Sequence, residues 1–248
     1  LMFAAFAVLF YRSLRYRRYL VGYKRGKYNF TDILSLNKMG WMVGLQMGLE
    51  TALFSITGIM IGWLGSIALA AHQVMVAIST LGFMIYYGVG AAVSVRVSNY
   101  FGRQELLHVR RTTMAGFHLI LCLAVCACTV FLFSRELIGY LFTTSEEVIR
   151  VVSTLVYILL AYQFGDALQI TYANSLRGIG DVISMAVISF IGYFLIAMPV
   201  CYICGFVLEW GITGIWIGYP IGLTLTGVML CGRYYWKLKT KTQSKEFY

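Results

Sequence analysis

Two carboxylates stand where carboxylates are costly. Glu50 sits near the middle of an apolar run over residues 39–63, and Asp166 lies well inside the apolar part of residues 148–181. A charged side chain at that depth costs roughly 2.5–3.5 kcal/mol on insertion scales, so such a residue usually faces a cavity or a partner and marks a pathway. A carboxylate can take up a proton, coordinate Na⁺ as a hard oxygen ligand, or attract an organic cation. The plainer reading is a hydrogen bond between helices, with each acid permanently protonated. Tyr162 lies four residues before Asp166 and shares its helix face, where its hydroxyl can orient the carboxylate, join an ion shell or simply pack. Gln73 and Gln169 are neutral polar groups that either line a cavity or bond across helices. Asn174 and Arg177 close the same stretch, in a capping, gating or binding role.

The elements that must position these groups are membrane spans. The chain has 248 residues, 60% hydrophobic and 12% charged, where soluble domains average about 45–50% and 25%. A hydrocarbon core about 30 Å thick needs about 20 residues of helix. Six runs meet that need, near residues 39–63, 68–95, 114–133, within 148–181, 182–204 and 215–232. Gly82, Gly88 and Gly90 in the second run let a neighbouring helix approach closely. Residues 1–11 read as the end of a truncated helix whose start lies upstream. Residues 12–38 read as a basic inter-lobe loop, with Thr31-Asp32 capping a short interfacial helix, ILSLNK. Residues 39–232 form the six-helix membrane lobe and residues 233–248 a basic tail.

Net charge is +10, but the basic residues fall in the gaps between apolar runs, as membrane-flanking loops require, which argues against nucleic acid. Residues 12–30 alone hold seven of the twenty Lys and Arg. Alternate gaps carry the positives: this loop, residues 96–111, Arg177, and residues 233–245. The opposite gaps carry Glu136, Glu146, Glu147 and Glu209 with only Arg135 and Arg150. The expectation is a multi-pass protein of the cell (inner or plasma) membrane with basic loops and C-terminus cytoplasmic.

Several chemistries find no support. Gly178-Ile179-Gly180 follows a membrane helix rather than a strand, so it is not a nucleotide fingerprint. There is no Walker motif and no serine–histidine–acid set, so neither ATP-driven transport nor catalysis is expected. His72, His108 and His118 lack paired ligand spacing, so no zinc site is expected. The six cysteines lie in or beside apolar runs and read as packing, including the pair Cys201 and Cys204. Met42, Met47, Phe83, Met84, Tyr86 and Tyr87 can line a permissive pocket, face lipid or fill the core.

A series of short segments carries a family resemblance: IALAAHQ at residues 67–73, Gly82-Phe83-Met84, VSVRV at 93–97, Asp166-Ala167-Leu168-Gln169, SLRGIGD at 175–181, Met198-Pro199, and GITGIWIG at 211–218. Together they resemble the C-terminal lobe of multidrug and toxic compound extrusion (MATE) transporters, with the NorM-like branch the best fit, from about residue 36 onward. The resemblance implies an all-α integral membrane fold, one six-helix lobe of a two-lobe, twelve-helix transporter plus the end of a preceding helix. It implies a secondary-active antiporter that exports cationic amphipathic compounds in exchange for Na⁺ or H⁺, with no other cofactor. Its partners would be the bilayer and an N-terminal lobe of the same protein. Glu50 matches the acid of helix seven and Asp166 that of helix ten, both cation-coordinating in NorM-like members, and Tyr162 matches the tyrosine beside them. One departure is Gly40-Trp41-Met42, where the family usually has Gly-x-Pro. A lipid-linked oligosaccharide flippase of the same superfamily would require a basic central cavity. A non-transporting membrane scaffold would carry permanently neutral acids.

Overall fold

The computed structural model describes residues 8–12 and 29–246, with side chains to residue 241. The chain divides into two compact units, Leu1–Gly40 and Trp41–Tyr248. In the first, residues 8–12 are helical and residues 30–40 form the opening turns of helix α1. Most of the expected basic loop, residues 13–28, lies outside the described residues.

Helix α1 runs unbroken over Phe30–Gly62. The expected interfacial helix ILSLNK is therefore not separate but part of its first turns. Its cap is Asn29, not Thr31 or Asp32: Oδ1 of Asn29 accepts from the Thr31 N–H at 3.2 Å and the Thr31 hydroxyl at 3.0 Å. Only Gly40 interrupts this stretch, and one glycine costs a helix about 1 kcal/mol, too little to break it. With methionine at 42 rather than proline, every backbone N–H there can donate.

The second unit adds α2 (Ser66–Gly102), α3 (Leu106–Phe133), the short α4 (Arg135–Phe142), α5 (Glu146–Gly178), α6 (Val182–Val207) and α7 (Gly211–Glu246). Apart from α4, these helices and α1 give six that are long and apolar enough to cross a membrane. The expected basic tail after residue 232 is helical as far as Glu246. It continues α7, because Tyr234 and Leu238 stay buried against α2, α3 and α5 residues such as Val97, Val109 and Leu176.

Helix α5 is the central post, packed against α2, α3 and α7. One apolar cluster gathers around Leu53, Ile61, Met75, Leu155, Leu159, Trp216 and Tyr219, a second around Val97, Val109, Leu176, Val182, Leu230 and Tyr234. On α5 they are separated by an interval in which Gln163, Asp166 and Gln169 are all buried. Outward faces carry exposed Leu81, Ile85, Val130 and Phe133, the surface a helix shows to lipid rather than to water.

Two local features set the ends and the bend. At the end of α5 the Asp181 N–H reaches the Leu176 carbonyl at 3.0 Å while Gly180 takes φ +78°, a left-handed stop that glycine adopts without strain. Gly178 lies so close to α2 that a Cβ there would sit 2.7 Å from the Ser94 carbonyl oxygen. The Gly178-Ile179-Gly180 signature is thus a helix stop and a close crossing. In α6, residues Ile191–Ala197 widen into a π-helical turn just before Pro199. Proline has no N–H for the carbonyl four residues back, which frees Leu195 from regular α-bonding.

Candidate functional site

Glu50 and Asp166 come from different helices and meet in the polar interval of the second unit. Helix α1 brings Glu50 inward on the face shared with Gln46, one turn earlier. The Glu50 carboxylate accepts from Gln46 Nε2 at 3.2 Å and from the Tyr193 hydroxyl at 3.3 Å. Tyr193, fully buried in the π turn of α6, in turn accepts from Gln169 Nε2 at 2.7 Å. A second arm runs from Gln46 to Arg177, whose guanidinium donates to Gln46 Oε1 at 3.4 Å, Tyr87 at 3.4 Å and Asn174 Oδ1 at 3.3 Å. Helices α1, α2, α5 and α6 are thereby joined through one chain of polar contacts.

Asp166 is the opposite case. It is 0% exposed, and neither carboxyl oxygen has a hydrogen-bond partner among the described residues. Gln163, one turn before it, also has both amide atoms unpartnered, and so does the Tyr86 hydroxyl on the facing helix. Asp166 lies within electrostatic reach of Glu50, Tyr86, Tyr162 and Tyr193. Buried polar groups nearly always find partners, and a cluster of orphans around a carboxyl is the donor set a small cation or proton would complete.

Beside Glu50 lies a cavity of about 230 Å³ between α1, α2 and α5; Asp166 is not in its lining. Glu50, Thr51, Tyr162, Ser79 and Thr80 supply its polar groups, and Met47, Phe54, Phe83 and Met84 contribute to its apolar wall. Gly82 makes room for Gln163, whose amide would lie 3.0 Å from a Cβ at that position, and Gly90 does the same for Asn174. Gly88 faces open space.

The sequence candidates therefore part company. Glu50, Asp166, Tyr162 and Gln169 are gathered around the polar interval. Asn174 is buried but reaches it only through Arg177, with its own amide donating to the Ile170 carbonyl at 2.9 Å. Gln73 stands exposed on α2, outside the lining of the cavity beside Glu50 and outside the hydrogen-bonded network. The inward stripe of α2 runs through Ala71, His72, Met75, Ser79 and Gly82, and position 73 falls off that stripe. Of the methionines and aromatics, Met47, Phe83 and Met84 line the cavity, Tyr87 holds Arg177, and Met42 lines a separate groove with α6. Sequence reasoning missed Gln46, Gln163 and Tyr193. The first two sit one turn before each acid, which is a usable signal; Tyr193 was marked only by the nearby proline.

Comparison with known proteins bears on the family and the fold. The family model described as MatE matches residues 43–203. Relatives include the multidrug resistance protein NorM of Photobacterium profundum, 34% identical over 220 residues, covering 87% of this chain and 47% of that protein. NorM of Aliivibrio fischeri is 32% identical over 217 residues, covering 86% and 47%. Among solved structures, the eukaryotic MATE transporter AtDTX14 superposes with a TM-score of 0.78 at 20% identity, over 88% of this chain and 51% of that one. A MATE protein in complex with MaL6 gives 0.81 at 14% identity, over 88% and 49%. The chain spans about half the length of the relatives it matches. With six candidate spans and a family match over well over half its residues, this multi-pass membrane chain belongs to the MATE family of transporters.

Proposed function

We propose that the chain forms one lobe of a secondary-active multidrug efflux antiporter. In this reading the whole protein exports cationic amphipathic compounds in exchange for Na⁺ or H⁺, from a site in the inner membrane with the basic loops and C-terminus cytoplasmic. The observation that carries it is two carboxyls brought by different helices to one polar interval, the half-buried Glu50 in a hydrogen-bonded network and the fully buried Asp166 without a partner among the described residues, with a cavity walled by aromatic and methionine side chains beside Glu50. An unpartnered carboxyl in low dielectric is tolerable only with a proton or a cation on it. Loading that site neutralises the polar interval, and unloading it leaves negative charge beside an apolar cavity, which favours an organic cation. Ion and drug thus stabilise different arrangements of two lobes, and rocking between them gives alternating access. An oligosaccharide flippase would need cations on the cavity wall, and no Lys or Arg is among the residues lining it.

The test is export of a cationic dye by the full-length protein in liposomes under an imposed Na⁺ or H⁺ gradient. Glu50→Gln and Asp166→Asn are each expected to cut gradient-driven export at least about tenfold, since each removes a titratable, cation-binding oxygen pair. Export unchanged in both variants would remove the two acids from coupling.

A further inference from the structure

A second cavity, of about 420 Å³, opens between the end of α2 and the beginning of α3, apart from the acids. Its mouth is basic: Arg96, Arg111 and His108 line it, and the ring of Tyr100 stacks on His108 with centroids 5.2 Å apart. Neither arginine has an ion-pair partner among the described residues, and the one acid of the α2–α3 turn, Glu105, is not part of the lining. Its floor is apolar, made by Val89, Val93 and Leu119. Gly116 draws the two helices together there: a Cβ on it would lie 2.3 Å from Val93 Cγ2, so the groove narrows beneath its open mouth.

Depth decides what fits. Val89 lies eleven residues before Tyr100 on α2, about 16 Å along the axis at 1.5 Å per residue. A free inorganic anion needs only the mouth. A groove charged at its tip and greasy for a further two to three turns, on helices long enough to span a membrane, matches an amphiphile with an anionic head. Basic pockets between spans are where acidic headgroups bind. We propose that this groove is a binding site for one anionic phospholipid, with Arg96 and Arg111 holding the phosphate and the acyl chain lying over Val93 and Leu119.

The test uses the full-length protein in neutral detergent, with thermal unfolding read against added phosphatidylglycerol, phosphatidylcholine or inorganic phosphate. Phosphatidylglycerol is expected to raise the unfolding midpoint, and the other two are not. In the double variant Arg96→Gln/Arg111→Gln the phosphatidylglycerol concentration needed for half the effect should rise roughly 10–30-fold. The same number of exposed charges removed outside the groove, Arg103→Gln in the α2–α3 turn with Lys239→Gln on α7, should leave it unchanged. Ala115→Trp, which fills the groove one turn beyond Arg111 and keeps both arginine charges, should also abolish the effect and guards against misfolding in the double variant. The proposal is overturned if phosphatidylglycerol does not stabilise the wild type, if both double variants lose the effect equally, or if inorganic phosphate competes at similar concentrations.

Discussion

The tightest ion pair among the described residues ties a turn to a helix. Arg233 on α7 donates through Nε to Asp181 Oδ2 at 2.7 Å, and Ser184 donates to the other oxygen at 2.9 Å. Burial alone would raise the Asp181 pKa, but the bonds from Arg233 and Ser184 and the nearby Lys237 charge outweigh it and hold the carboxyl below its ordinary value. A folded-state pKa below the unfolded one contributes stability above the unfolded value, near pH 4, that is lost as pH falls through the folded value. Acid unfolding of the full-length protein between about pH 5 and 3 should therefore be steeper in wild type than in Asp181→Asn. Arg233→Ala at neutral pH should cost about 1–3 kcal/mol by thermal unfolding, because it leaves a largely buried carboxylate short of its charged donor. At this scale the sequence was readable only where residue type clashed with surroundings. Glu50 and Asp166 stand out as acids in apolar runs. Tyr193 and Gln46 do not, because tyrosine and glutamine are ordinary in membrane helices and their importance comes from what another helix brings within 3.5 Å.

Helices α6 and α7 are joined by glycines rather than by large side chains. Gly214, Gly218 and Gly222 recur every four residues on one face of α7, a small-xxx-small stripe that lets backbones touch. A Cβ at Gly214 would lie 2.2 Å from the Cys204 carbonyl oxygen, at Gly218 2.3 Å from Cys201 Sγ, and at Gly222 2.3 Å from the Ala197 Cβ. The obstacle at Gly214 is backbone and cannot swing aside. Gly214→Ala should destabilise the protein by about 1–3 kcal/mol, as overpacking does, whereas Gly232→Ala, with open space around it, should be neutral or gain up to about 1 kcal/mol of helix propensity. Melting curves of the two purified variants distinguish them. Span number and order were legible because each apolar run exceeds the length a bilayer demands. Helix continuation was not: α1 begins before its apolar run and α7 outlasts its own. In α7 the extension is fixed by burial of Tyr234 and Leu238 against other helices, which no local pattern announces.

At the scale of the whole molecule, the six spans enclose a polar interval between two apolar clusters and show lipid an apolar exterior. That arrangement explains why the chain tolerates buried acids at all: the interval places carboxyls, amides and tyrosine hydroxyls together, away from the hydrocarbon. The proposed two-lobe organisation was legible only through family resemblance, since nothing within these helices marks a partner lobe. In the proposed cycle a small cation and an organic cation compete for Glu50 and Asp166. The most direct measurement is ion release on dye binding, following displaced ²²Na⁺ and protons together as ethidium is titrated into purified full-length protein at equilibrium. Dye binding should release Na⁺ or protons from the wild type, with release diminished in Glu50→Gln and in Asp166→Asn and lost in the double variant. Saturating dye binding with neither ion released from the wild type would contradict competition at these carboxyls.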